Sequence, residues 1–240
     1  MTQKDIPTLD RLWEAMAPRL PVLSPEEQRV ALALLRELAK GEPVAAAQLA
    51  RAIGASTADA ETLLQRPALK PFVYPDEQGR VVGFLGLSAR PMHHRFVLNG
   101  RALGTWCAQD SLFLPELLDE TAEVESRDPE GDELVRLTIS PSRVEAVDPA
   151  GVVVSTVKPD SPDLSSAARI MATACHFIFF FASRAAGERW VAKHPGTLLL
   201  SVNEAFAFGK RWNASLFGTE LARRGAGAAR WVTLPAGAVI

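Results

Sequence analysis

A chain of 240 residues that is 48% hydrophobic and 22% charged has material for a sizeable core, as one large domain or two small ones. Its formal charge of -2 and pI near 6.1 provide no global basic field, which speaks against tight nonspecific binding to nucleic acid or to an anionic membrane. The first seven residues lack the basic start and apolar core of a secretory signal, and the apolar run 171–182 is too short to span a bilayer, so a cytoplasmic protein is expected, with its two cysteines as free thiols.

Residues 1–23 read as an N-terminal extension of unassigned role. From residue 8 to about 66 the chain reads as short helices rich in Leu and Ala. Ser24-Pro25-Glu26-Glu27 has capping-box spacing with Pro at the first helical position, and Val30, Leu32, Leu34, Leu35 and Leu38 form one broad apolar face before Gly41 stops the helix. A second helix is expected over about 43–53, ending at Gly54, and a third from a Ser56 cap to about Gln65. Segments 72–74 and 80–87 look like two strands joined around residues 76–79. Helices followed by a hairpin suggest a winged-helix-like module over 24–90. Its third helix carries Asp59 and Glu61, where a reading head in the major groove needs Arg, Lys, Asn or Gln, so a packing or lid role is favoured over DNA binding.

After residue 90 the composition shifts toward strands and loops. Strands are expected at 94–98, 134–139, 152–157, 177–181 and 197–202, which are rich in β-branched and aromatic residues. Helices are expected at 106–119, 164–173, 184–194 and 203–224. The whole reads as an α+β protein, with the helical module packed on a mixed or antiparallel sheet domain at 91–222 and flanking helices. The Gly- and Ala-rich tail 223–240 has no predicted element.

The chemistry sits around the cysteines. Trp106-Cys107-Ala108-Gln109-Asp110 places a thiol and a carboxylate at i and i+3, on one face of a helix, and a helix beginning near Trp106 would lower the Cys107 thiol pKa and leave a thiolate accessible. Cys175 precedes the apolar stretch 177–181 and suits a half-buried place in a pocket wall. The residues alone leave alternatives open: two inert buried cysteines, or a disulfide between Cys107 and Cys175, which the expected compartment opposes. A structural zinc site lacks support, because His93, His94, His176 and His194 show no paired spacing with the cysteines. His176 follows Cys175 directly and would face the other way in a strand. No G-x-S-x-G elbow or G-x-x-x-x-G-K-S phosphate loop is present. Trp106, Phe179 and Phe181 are candidate pocket walls or plain core aromatics.

The ordered set of motifs resembles the organomercurial (alkylmercury) lyase family of bacterial mercury resistance. It runs over roughly 34–213, through Leu35-Arg36-Glu37-Leu38-Ala39-Lys40-Gly41, Pro43-Val44, Trp106 to Asp110 with Leu112 and Pro115, and Ser140-Pro141-Ser142. It continues in Ala146-Val147-Asp148-Pro149-Ala150-Gly151, Val154-Ser155, Cys175 with Phe180-Phe181-Ala182-Ser183, and Ser201-Val202-Asn203-Glu204-Ala205-Phe206 with Gly209. The resemblance implies cleavage of a mercury–carbon bond by protonolysis, with Cys107, Asp110 and Cys175 as the catalytic trio and as the atoms holding product Hg(II). It implies no organic cofactor, an organomercurial substrate, small thiols for turnover, and mercuric reductase as an acceptor for Hg(II). A thiol-based mercurial trap with little lyase activity is the alternative. The chain departs from the family pattern where His176 replaces a second cysteine beside Cys175, and where a structural cysteine between the catalytic pair is missing.

Overall fold

The computed structural model describes residues 9–160 and 162–229, with backbone alone for 225–229. Helix α1 (Leu9–Met16) falls inside the N-terminal extension, and α2 (Pro25–Leu38) follows it. The predicted capping box opens α2: Ser24 Oγ accepts from the Glu27 N–H at 3.3 Å, and the Glu27 carboxylate accepts from the Ser24 N–H at 2.9 Å. Its apolar face is buried from Val30 to Leu38. Helix α3 (Ala46–Ile53) stops at Gly54 in the left-handed conformation, and α4 (Thr57–Leu64) starts from a second capping box at Ser56. Strands β1 (Val73–Pro75) and β2 (Val81–Phe84) form the predicted antiparallel hairpin.

The sheet continues without a break through residue 90. Strands β3 (Leu87–Ser88), β4 (His94–Leu98), β5 (Arg101–Thr105), β6 (Ala122–Arg127), β7 (Leu134–Ile139) and β8 (Val144–Asp148) complete an eight-stranded sheet of order β1-β2-β3-β5-β4-β6-β7-β8. Every pairing in it is antiparallel. Three of these strands, β5, β6 and β8, are absent from the sequence reading. β5 is joined to β4 by Asn99-Gly100, both with positive φ, the backbone that a two-residue hairpin turn requires. β6 and β8 alternate charged with small or apolar residues, which dilutes their strand signal.

A second, three-stranded antiparallel sheet has β9 (Val153–Val157) at its centre, flanked by β10 (Phe180–Phe181) and β11 (Thr197–Ser201). The expected strand over 177–181 shrinks to β10. The preceding residues, Cys175–Phe177, form a single 3-10 turn instead. The reason lies in where the backbone groups go: Ser155 Oγ on β9 donates to Phe177 O at 2.7 Å and accepts from the Phe179 N–H at 2.9 Å, and Ile178 O accepts from the Ala108 N–H at 3.1 Å. These bonds replace a strand ladder, although the aromatic composition imitates one.

Helix α5 (Ala108–Leu118) is buried over nearly its whole length, α7 (Arg184–Lys193) flanks the small sheet, and α6 (Ala167–Thr173) packs on the 3-10 turn and β1. Helix α8 (Val202–Ala229) begins where predicted and runs past residue 224 into the segment the sequence left unplaced; the rest of that tail, 230–240, and the N-terminal residues 1–8 lie outside the described residues. α8 lies against α5. The buried Asn213 donates to Phe113 O (2.9 Å) and to Glu116 Oε2 (2.8 Å), and Gln109 Nε2 donates to Ala205 O (2.9 Å). Among the described residues no helix is long and apolar enough to cross a membrane.

Candidate active site

Cys107 is the N-cap of α5, whose first residue, Ala108, lies two residues beyond the helix start expected at Trp106. Its extended backbone turns the chain from β5 into the helix, and Thr105 Oγ1 donates to its carbonyl at 3.1 Å. Asp110 lies one turn on. Its Oδ2 accepts from the Cys107 N–H at 2.9 Å, the carboxylate half of a capping box, which fixes the acid beside the thiol as the i, i+3 spacing implies.

Cys175 arrives from 68 residues away by a tertiary route. The 3-10 turn that carries it is pinned to α5 through Ala108 N–H to Ile178 O and to β9 through Ser155. The two Sγ atoms and a carboxylate oxygen of Asp110 lie within 4.8 Å of one another, all buried, with residue exposures of 2% for Cys107, 9% for Asp110 and 6% for Cys175. Both cysteines are free thiols. Sequence reasoning missed the service of Ser155, which appears there only as a matched motif residue.

The trio faces a cavity of about 90 Å³. Its walls are mostly apolar, with Trp106, Phe113, Phe208, Trp212, Leu85 and Ile178 among them, and Met16 from α1 and Pro162 line it as well. Arg19, just after α1, donates to Pro162 O at 2.8 Å and so ties the N-terminal segment to a residue of the cavity wall. Trp106 is therefore a wall of the cavity as expected. Phe179 and Phe181 are not: they pack with Trp190, and Phe181 also with Val153 and Ala186, on the α7 side of the small sheet. The chain's passage from the 3-10 turn into β10 directs them there.

Burial dominates the electrostatics. Desolvation raises the Asp110 carboxyl to about 7, against hydrogen bonds from the Cys107 side chain and N–H that favour its anion. The Cys107 thiol is pushed well above its ordinary value, first by burial, then by the Cys175 side-chain hydrogen bond and the Asp110 charge. For Cys175 the hydrogen bond with Cys107 lowers the pKa, and burial with the Asp110 charge outweighs it, so this thiol also rises. The expectation of a lowered Cys107 pKa and an accessible thiolate is thus corrected. The helix terminus is present, but its field is smaller than the cost of an anion in a dry site next to a carboxylate. Cys175 is likewise buried rather than half-buried.

The histidines stay out of the site. His94 is buried against Ser126 Oγ (2.8 Å) and the Phe180 ring, and burial holds its pKa down to about 3. His176 sits in the 3-10 turn rather than a strand; its side chain is exposed and meets the Phe177 ring, not the thiols.

A thiol pair with a protonatable acid beside it, all lining an apolar cavity, is what capture and protonolysis of an organometal on a soft ion demands. Residues 87–214 match the family described as MerB, alkylmercury lyase. The alkylmercury lyase of Staphylococcus epidermidis is 38% identical over 181 residues, covering 75% of this chain and 80% of the relative. That of Pseudomonas putida is 41% identical over 177 residues, 73% and 79% of the two chains. The chain belongs to the alkylmercury lyase family.

The fold agrees. A crystal structure described as the mercury-bound form of MerB2 superposes with a TM-score of 0.66, covering 84% of this chain and 95% of that one at 23% identity, which establishes a shared α+β architecture. Within this lyase chain, the three residues the resemblance singled out are the same three that converge on the cavity, and the described residues contain no other comparable group of potential metal ligands.

Proposed function

We propose that this lyase cleaves the mercury–carbon bond of alkyl- or arylmercury thiolates through Cys107, Cys175 and Asp110. The observation that carries the reading is the buried carboxyl within reach of two buried thiols, all three lining an apolar cavity. Both thiols begin protonated, because burial raises them. The first displaces the thiolate that accompanies the mercurial, and its proton leaves with that thiol. The second passes its proton to the Asp110 carboxylate and bonds to mercury, adding electron density that weakens the Hg–C bond. Asp110 then delivers the proton to carbon, the hydrocarbon leaves, and Hg(II) remains between the two sulfurs with an Asp110 oxygen nearby. Mercury enters as R–Hg–SR′ and two cysteine thiols; the products are RH, R′SH and the bis-thiolate, so atoms and charge balance.

The carboxyl is a weak acid held where a poor base, carbon, must be protonated, which is work for positioning more than for acidity. The cavity's apolar walls offer water few partners, which favours carbon over solvent as the acceptor of the proton. No organic cofactor is invoked. Small thiols, or the cysteines of a mercuric reductase, remove Hg(II) for the next turnover, in a cytoplasmic setting that supplies them. We read residues 24–90 as a winged-helix-like packing module and 91–222 as the catalytic domain, with 1–23 as an extension and 223–240 as a tail. His176, exposed beside Cys175, takes no chemical part in this scheme.

A mercurial trap with the same thiols would bind mercury but not release hydrocarbon. Asp110 favours the lyase, since a trap has no use for a proton carrier. Gas-chromatographic assay of methane or benzene release, with and without excess thiol, tests the proposal: catalytic release with thiol is expected, and stoichiometric Hg binding without hydrocarbon would leave only the trap.

A further inference from the structure

The two-residue turn between β2 and β3 touches the acid. Leu85 and Gly86 both have positive φ, +45° and +86°, and Leu85 lines the cavity itself. A Cβ built on Gly86 would lie 2.3 Å from Asp110 Cγ, 2.5 Å from Oδ1 and 2.6 Å from Cβ. Real atoms do not approach so closely. At this turn the backbone of the N-terminal half of the sheet therefore rests directly on the carboxyl group.

Neither side can give way. The Trp106 N–H donates to Gly86 O at 2.8 Å and clamps the turn against the residue preceding Cys107. Asp110 is held through Oδ2 to the Cys107 N–H at 2.9 Å, and its Cβ is fixed in the first turn of a buried helix. Retreat of the carboxyl from a new methyl would break that hydrogen bond and turn the acid away from the thiols.

We infer that Gly86 is a positioning residue of this enzyme: its missing side chain lets the β2–β3 turn pack on Asp110, which aims the carboxyl at the thiols and keeps water from its far side. The inference rests on the reading of Asp110 as the proton carrier. Gly86 lies one residue ahead of the segment that matches the family. It does not touch mercury and acts only through Asp110. Water exclusion by the turn accords with desolvation being the first cause of the raised Asp110 pKa.

The test uses the full chain as wild type, D110N, Gly86→Ala, Gly86→Asn and Gly79→Ala. Gly79 also has positive φ (+75°) but nothing within 4 Å of its built Cβ, so Gly79→Ala measures left-handed strain without a clash. Asn tolerates the left-handed backbone, so Gly86→Asn adds the clash with little strain. Both Gly86 variants should lose about a hundredfold in kcat with KM changed little, and still bind one Hg(II) through both thiols. Any residual pH–rate limb should move to lower pH as the displaced carboxyl regains water, and Gly86→Ala on D110N should slow that variant no further. Gly79→Ala should turn over as wild type.

Full kcat in both Gly86 variants, or a Gly86→Ala effect that multiplies that of D110N, would overturn the positioning role. Failure of the wild type itself to release hydrocarbon would instead overturn the lyase reading. Should Gly86→Ala not fold, the Gly86→Ala/Asp110→Gly double variant decides. Recovery of cooperative unfolding there supports the contact with Asp110, and equal loss overturns it.

Discussion

Two of the buried carboxylates among the described residues, Asp128 and Asp110, are used in opposite ways. Asp128, 2% exposed, accepts the Glu130 N–H at 2.7 Å on one oxygen and the Ala182 N–H at 2.9 Å on the other, stitching the loop after β6 to the end of β10. Both of its oxygens have backbone donors. Asp110 receives one backbone N–H on Oδ2, while Oδ1 lies against a bare glycine turn and the group faces two thiols and a cavity. A carboxylate with backbone N–H donors on both oxygens is a staple. One left short of donors in a dry pocket has its neutral form favoured, and so can hold and release a proton near neutrality.

Experiments can break this contrast at several points. The largest effect should come from the sulfurs: Cys107→Ala or Cys175→Ala is expected to lower hydrocarbon release from methyl- or phenylmercury thiolates to background, a loss of roughly thousandfold or more. Normal turnover in either variant would remove that thiol from the scheme. Asp110→Asn should retain stoichiometric mercurial binding and lose about 10²–10⁴-fold in turnover, because an amide cannot relay the proton. An undiminished rate would mean that the proton comes from elsewhere and that Asp110 is a staple after all.

Asp110 should also cost stability. Its folded-state pKa of about 7 lies above the ordinary carboxylate value, so the folded protein retains a proton that the unfolded chain has released. Stability associated with this group is complete below the unfolded pKa and is lost as pH rises toward 7. Asp110→Asn should therefore leave unfolding at pH 4 nearly unchanged and stabilise the protein at pH 8, by an amount on the order of a few kcal/mol, as read from denaturant titrations at the two pH values. A variant less stable than wild type at pH 8 would contradict the burial argument. Asp128→Ala should do the reverse, losing about 1–3 kcal/mol because the buried Ala182 N–H and the part-buried Glu130 N–H go unpaired, with kcat per folded molecule unchanged.

The smallest effect is in the rate profile. Asp110 must be ionised to take the second thiol's proton, so the single-turnover rate should climb with pH by about tenfold per unit below a midpoint near 7, then level off. A flat profile from pH 5.5 to 8 would show that this transfer does not limit protonolysis.

Much is legible in the sequence because it is local. Ser24 and Ser56 announce their helices by capping spacing, Gly54 ends one, and the i, i+3 relation of Cys107 and Asp110 survives as a hydrogen bond inside one turn. The ordered motifs were enough to point to the lyase family and to the trio, because identity of side chains at set intervals needs no fold to be read. Strands β5, β6 and β8 were harder: their charged residues face outward, and only pairing with neighbours makes them strands.

What the tertiary structure alone decided is the environment of those side chains. The helix position of Cys107 argues for a lowered thiol pKa, and the opposite holds because Cys175, Asp110 and the cavity walls arrive from distant segments and exclude water. The same is true of Phe179 and Phe181, whose composition suited a pocket wall and whose side of the small sheet took them elsewhere, and of Gly86, an ordinary turn glycine in sequence that lies against the acid in space. Desolvation and close approach depend on what surrounds a group, and its surroundings here are brought together by the packing of both sheets on α5, not by its neighbours along the chain.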